Sequence, residues 1–162
     1  MLTVPEKSMV RAAEELRRQF GVQVVSLERE LIKAMRDVSA GARVRWDIVL
    51  RADAAAGSST DWQNLRNLVE RALPLVAAAI PRTAPPALLT CPGLLARYGQ
   101  WPWLSDLAQT TGRADGIHGA WLLVPWEDPS VPPALGDEAV PLLPSQRAHI
   151  PDGWLANRHR AA

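Results

Sequence analysis

Ala87-Leu88-Leu89-Thr90-Cys91 and Ala120-Trp121-Leu122-Leu123-Val124-Pro125, near the two ends of the stretch Pro86 to Asp128, decide how this chain folds. Each is apolar without a break instead of alternating with polar residues, the pattern of strands buried on both faces. Between them Pro92 and Gly93 turn the chain into two helical segments, Leu94 to Tyr98 and Trp103 to Thr110. The polar, Gly-bearing loop Thr111 to Gly119 then returns it to the second run. A strand, a helical crossover and a second strand make a βαβ unit, here at the centre of a parallel sheet.

Working toward the N-terminus, Leu2-Thr3-Val4 is a short strand, and Thr3 with Glu6 has capping-box spacing. A helix between Pro5 and Phe20 places Met9, Ala13, Leu16 and Phe20 on one stripe and Arg11, Glu15 and Arg18 opposite. Gly21 closes it, Val22 to Val25 is a β-branched strand, and Ser26 caps a helix whose stripe is Leu27, Leu31, Met35 and Val38. Arg43 to Ala56 fits two patterns. Val44, Trp46, Ile48 and Leu50 alternate as in a strand, but Trp46, Val49 and Leu50 also share a helical face, and Arg51 to Ala56 favours helix before Gly57; helix is expected. Thr60 and Gln63 repeat the capping-box spacing before a helix that buries Trp62, Leu65, Val69, Leu73, Val76 and Ile80, with Pro74 inside it.

Beyond Pro125 the prolines at 129, 132, 133, 141 and 144 exclude a long helix. Ala139 to Leu143 and Arg147 to Ile150 are expected to pair, at most, as a small peripheral hairpin, and Asp152 caps a last turn carrying Trp154 and Leu155. The expected fold is α/β: an open, mostly parallel sheet of about four strands with helices on both faces. Residues 1–128 form the core, 129–162 a Pro-rich extension packed on it, and 162 residues suit a single domain.

Charge is balanced, 18 Lys and Arg against 17 Asp and Glu, so extensive wrapping of nucleic acid is not indicated. One Cys permits no internal disulfide, no apolar run reaches membrane-spanning length, and a cytoplasmic protein is expected. There is no G-x-x-x-x-G-K-[ST] and no G-x-G-x-x-G after a strand, so no phosphate cradle is signalled and no cofactor is expected. His118, His149 and His159 show no i, i+4 pairing and have no partnering Cys pair, which speaks against a metal site.

In a parallel sheet, ligands bind beyond the carboxyl ends of the strands. Ser26, Gly93, Glu127 and Asp128 fall there and are the candidate ligand-binding residues, although Gly93 reads more readily as an ordinary turn residue and the two acids as solvated loop residues. Cys91, beside no obvious base, reads as buried filler. No Ser lies in a G-x-S-x-G elbow, so no catalytic residue is assigned. Seven Trp stand against one Tyr and one Phe. Trp46, Trp62 and Trp121 lie on apolar faces and read as core; Trp101, Trp103, Trp126 and Trp154 sit in or beside loops, where packing and partner anchoring fit equally. Trp126 and Trp154, with Arg158 and Arg160 of the basic tail, are the candidate interaction residues.

Three segments together resemble a known family: Trp46 to Ala54 followed by Gly57-Ser58 and Asp61-Trp62; Leu88 to Tyr98; and Trp121 to Pro125 with the ending Ile150 to Arg160. They are similar to the C-terminal region of large kinase and ATPase proteins, the PglW type, of bacterial phage-growth-limitation (BREX type 2) defence. The resemblance implies an accessory module whose kinase and ATP-binding parts lie upstream, and whose partners are those domains or other defence proteins. H-R-D, D-F-G and the glycine-rich kinase loop are absent here, so none of the family's catalytic residues is carried over. Three readings follow: a non-catalytic interaction module, a small-molecule or nucleotide-binding enzyme domain with its site at the strand ends, and nucleic-acid binding through the basic tail.

Overall fold

Leu88 pairs with Trp121 and Leu89 with Leu122, in parallel, so the two apolar runs lie side by side and point the same way. The computed structural model describes residues 1–55, 57, 59–113, 116–128, 130–135, 138–140 and 144–156. Strands β1 (Leu2–Val4), β2 (Gln23–Ser26), β3 (Ala87–Thr90), β4 (Ala120–Pro125) and β7 (Ala148–His149) form one sheet in the order β2-β3-β4-β1-β7. Every pairing within it is parallel. The sheet thus has five strands, one more than the apolar runs suggested.

Alternation along the strands divides two cores. Val4, Leu88 and Leu123 point to one face, where they meet Ala12 and Leu16 of α1 (Met9–Phe20) and Leu155 of α7 (Asp152–Ala156). Leu89, Leu122 and Val124 point to the other. There they meet α2 (Leu27–Gly41), α3 (Trp46–Ala55), α4 (Thr60–Ala79), α5 (Gly93–Arg97) and α6 (Trp101–Thr110). Because both faces are covered, β3 is buried at all four positions, which accounts for its unbroken apolar sequence. The segment with two readings, residues 43–56, is helical over Trp46–Ala55: its inward residues Val49 and Ala52 are three apart and pack toward α4.

Local signals were displaced in several places. Thr3 lies inside β1, with its hydroxyl 3.2 Å from His149 Nδ1, and so caps nothing; a 3₁₀ turn, Glu6–Ser8, precedes α1 instead. Ser59, not Thr60, caps α4 by accepting from the Trp62 N–H at 3.2 Å. Glu15 is buried although it falls on the charged side of the helical pattern, its carboxylate accepting from Arg18 and Gln19. Phe20 is half exposed, set edge-on to Trp121 with ring centres 5.3 Å apart.

The hairpin also differs. β5 (Ala134–Leu135) and β6 (Glu138–Ala139) pair antiparallel, while Ala148–His149 joins the main sheet beside β1. The Ala148 N–H donates to the Met1 carbonyl at 3.0 Å and that of Ile150 to Thr3 at 2.9 Å, so this short strand satisfies backbone groups along the outer edge of β1. Residues 141–143, the other half of the expected hairpin, lie outside the described residues.

Candidate functional site

At the carboxyl edge of the sheet each expected residue already has a local task. The Ser26 hydroxyl caps α2, accepting from the Arg29 N–H at 3.3 Å. Gly93 opens α5, a helix of five residues. Glu127 Oε1 accepts from the backbone N–H of Glu6 at 3.3 Å, tying the end of β4 to the end of β1. Asp128 accepts from both the N–H (2.9 Å) and the hydroxyl (2.6 Å) of Ser130, and these bonds hold its carboxyl below the usual carboxylate range. The strand order sets Ser26 and Glu127 apart. β3 separates Ser26 from β4, so Ser26 and Glu127 stand two strand spacings apart, about 10 Å, and Glu127 leans away toward β1.

The tryptophans redistribute as well. Trp101, read as a loop residue, is the most buried, 6% exposed at the start of α6, and its Nε1 has no partner among the described residues. Trp46 and Trp62, read as core, are only partly buried; Arg36 lies 4.3 Å above the ring of Trp46 and Arg97 5.6 Å from that of Trp62. Trp154 packs, half-buried, beside α1, and Trp126 donates its Nε1–H to the Val131 carbonyl at 3.0 Å. Arg158 and Arg160 lie outside the described residues. Cys91 is exposed, not buried filler, because the chain leaves β3 there with φ of 53° and turns its side chain out of the core. Among the described residues, no group of three or more His, Cys, Asp or Glu is placed to hold a metal ion.

A surface that no motif signalled lies on the helical layer. A cleft of about 540 Å³ opens between α3 and α4, lined by Val44, Ile48, Leu65 and Leu68 with Arg43 and Arg71 among its polar walls. Ile48 is 45% exposed, Val44 38%, and neighbouring Leu50 55%. The alternating pattern of these residues was visible in the sequence, but its explanation is this: on a helix that buries only Val49 and Ala52, Ile48 and Leu50 to either side remain at the surface, and Val44 stands exposed just before the helix begins.

Fold and surface together define an open parallel α/β module that carries an apolar cleft on its outer helices. Along its whole length the chain is similar to Probable kinase PglW of Streptomyces coelicolor (strain ATCC BAA-471 / A3(2) / M145), with 34% identity over 173 aligned residues. The match is to the C-terminal region of that protein, so this chain is homologous to the C-terminal part of a PglW-type kinase. It covers 100% of this chain and 11% of the curated relative. No family model matches the chain. No solved structure matches it either. No helix among the described residues is long and apolar enough to cross a membrane.

Proposed function

We propose that this chain is a non-catalytic interaction module of a cytoplasmic antiphage-defence protein of the PglW type. It docks through the α3–α4 cleft on an amphipathic helix from the kinase and ATPase domains upstream. It is one domain, since the Pro-rich segment beyond residue 128 returns to the main sheet through β7 and to its core through Ile150 and Leu155. The observation that carries the reading is the cleft: Ile48 and Val44 stand exposed at its mouth, on a chain whose match spans 11% of a much longer relative. Exposed apolar groups gathered in a groove favour burial against a partner, and a helix laying its apolar ridge there is the common mode. Arg43 and Arg71 at the rim favour acidic residues flanking that ridge.

The test is to express a PglW-type protein lacking this region together with this chain as a separate polypeptide and measure their association. Val44→Asp and Ile48→Glu are each expected to weaken it by about tenfold or more, since a charge would enter the apolar contact. Association indifferent to both substitutions, or ATP turnover by this chain alone, overturns the proposal.

A further inference from the structure

The two edges of the main sheet are finished differently. β7 is only Ala148–His149 and Pro151 follows close behind, so that side offers a further strand little to pair with. β2, at the opposite edge, reads Gln23-Val24-Val25-Ser26, without a charge or a proline to turn a further strand away. Its backbone groups face two ways. The Gln23 N–H donates to the Pro86 carbonyl at 3.4 Å and the Val25 carbonyl accepts from the Thr90 hydroxyl at 3.4 Å, so these residues are turned toward β3. Alternation turns the N–H and C=O of Val24, and the N–H of Ser26, to the outer side, where no strand stands among the described residues.

The same edge carries an apolar surface. Val22 belongs to the core under α1, so Val24 points to that face too, yet it is 39% exposed. There Val24 joins Met9, Ala13 and Val10, the last 73% exposed, around a hollow of about 330 Å³. Charge is sorted along the strand as well. The last turn of α1, at the amino end of β2, is basic through Arg17 and Arg18, and the first turn of α2, at the carboxyl end, is acidic through Glu28 and Glu30. Arg18 is paired with Glu15 and Glu30 with Arg29, while Arg17 and Glu28 have no ion-pair partner among the described residues.

We propose that the chain forms a two-fold dimer by pairing β2 antiparallel with β2 of a second copy. The outward groups of Val24 and Ser26 then find backbone donors and acceptors, and the Val24 side chains of the two copies meet on the α1 face and cover one another. The basic end of each strand comes beside the acidic end of the other, whereas a parallel copy would set like charges together. An unrelated extended peptide would satisfy the backbone groups alone; a second copy brings the matching charge order with it. The edge is short, which places the dimer among small, weak interfaces with a dissociation constant on the order of 10 µM. It lies on other elements than the α3–α4 cleft, so the two contacts are independent.

The experiment follows the whole chain by sedimentation equilibrium from about 1 to about 300 µM, with amide hydrogen exchange measured by NMR at low and high concentration. A monomer–dimer equilibrium is expected, with the Val24 and Ser26 amides exchanging more slowly at the higher concentration. Val24→Lys, the kind of charge that guards natural sheet edges, is expected to weaken the dimer by at least about tenfold. Val24→Thr keeps the β-branch and is expected to leave it within about threefold of the parent. Arg17→Glu is expected to weaken it about fivefold, and Arg17→Glu combined with Glu28→Arg to restore it. A parent chain that stays monomeric throughout overturns the proposal without requiring any variant to fold. So does a dimer indifferent to Val24→Lys, or one whose slowed amides lie outside β2.

Discussion

Asp53 on α3 and Tyr98, just beyond α5, are 45 residues apart in the chain and share a hydrogen bond of 3.0 Å from the phenol to Oδ1. Arg97 donates to the same oxygen at 2.9 Å and to the Asp53 carbonyl at 3.0 Å, so one carboxylate fastens α3 to the turn after α5. Burial, followed by the adjacent Asp53 charge, pushes the Tyr98 phenol up from 10.0 to about 12. The folded state therefore holds this proton more tightly than the unfolded state. Its stabilising contribution is complete below about pH 10 and is lost as pH rises toward 12. Tyr98 is the sole tyrosine, so phenolate absorbance reports it alone. Asp53→Asn is expected to lower the titration midpoint without returning it to 10.0, because burial persists while the charge is gone. An unchanged midpoint would show that Asp53 plays no part.

Ser59 and Thr60 offer a direct comparison of neighbouring hydroxyls. Only Ser59 accepts from a helix N–H, that of Trp62. Ser59→Ala is expected to cost about 1 kcal/mol in urea unfolding and Thr60→Ala less than half of that, since Thr60 is already the first helical residue. The reverse order would move the cap to where the spacing alone had put it.

That displacement shows what the sequence carries and what it does not. The apolar runs through Leu88 and Leu123 were legible because covering both faces of a parallel strand leaves an unbroken composition, and Ser26 and Gly21 were legible because caps are local. Thr3 was misread as a cap for the opposite reason: whether a Thr caps or pairs depends on a strand, His149, that joins 146 residues later. The strand-end candidates Ser26 and Glu127 look like one cluster when every strand end is treated as equivalent. The order β2-β3-β4-β1-β7, which no local pattern encodes, draws Glu127 toward β1 and sets His149 beside Thr3. Trp101 was misplaced because Pro102 follows it directly, yet Pro is well tolerated in the first turn of a helix, and α6 begins at Trp101 itself.

Cys91 leaves β3 in the left-handed region, φ 53°, where an L-residue carries a conformational cost on the order of 1 kcal/mol. Its thiol is exposed, so removing it opens no void. Cys91→Gly is expected to stabilise the fold by somewhat under about 1 kcal/mol, the relief of the turn being partly offset by the greater freedom of Gly in the unfolded chain. Cys91→Val is expected to destabilise, because a β-branched residue tolerates this conformation least. Denaturation midpoints of the three proteins decide it; a Gly variant weaker than the parent would show that the thiol contributes more than its backbone costs.

The docking proposal requires that the α3 surface be dispensable to folding, and this can be measured apart from any partner. Leu123 is fully buried at the centre of β4, where truncation removes contacts with α1 and its neighbours. Leu123→Ala is therefore expected to cost about 2–5 kcal/mol. Ile48 is 45% exposed at the mouth of the cleft, and the inward contacts of α3 are made by Val49 and Ala52. Ile48→Ser is expected to change stability by no more than about 0.5 kcal/mol, the range of ordinary surface substitutions. If Ile48→Ser instead destabilised the isolated chain as Leu123→Ala does, its side chain would be part of the core, and any loss of association in an Ile48 variant would report unfolding and not a missing contact.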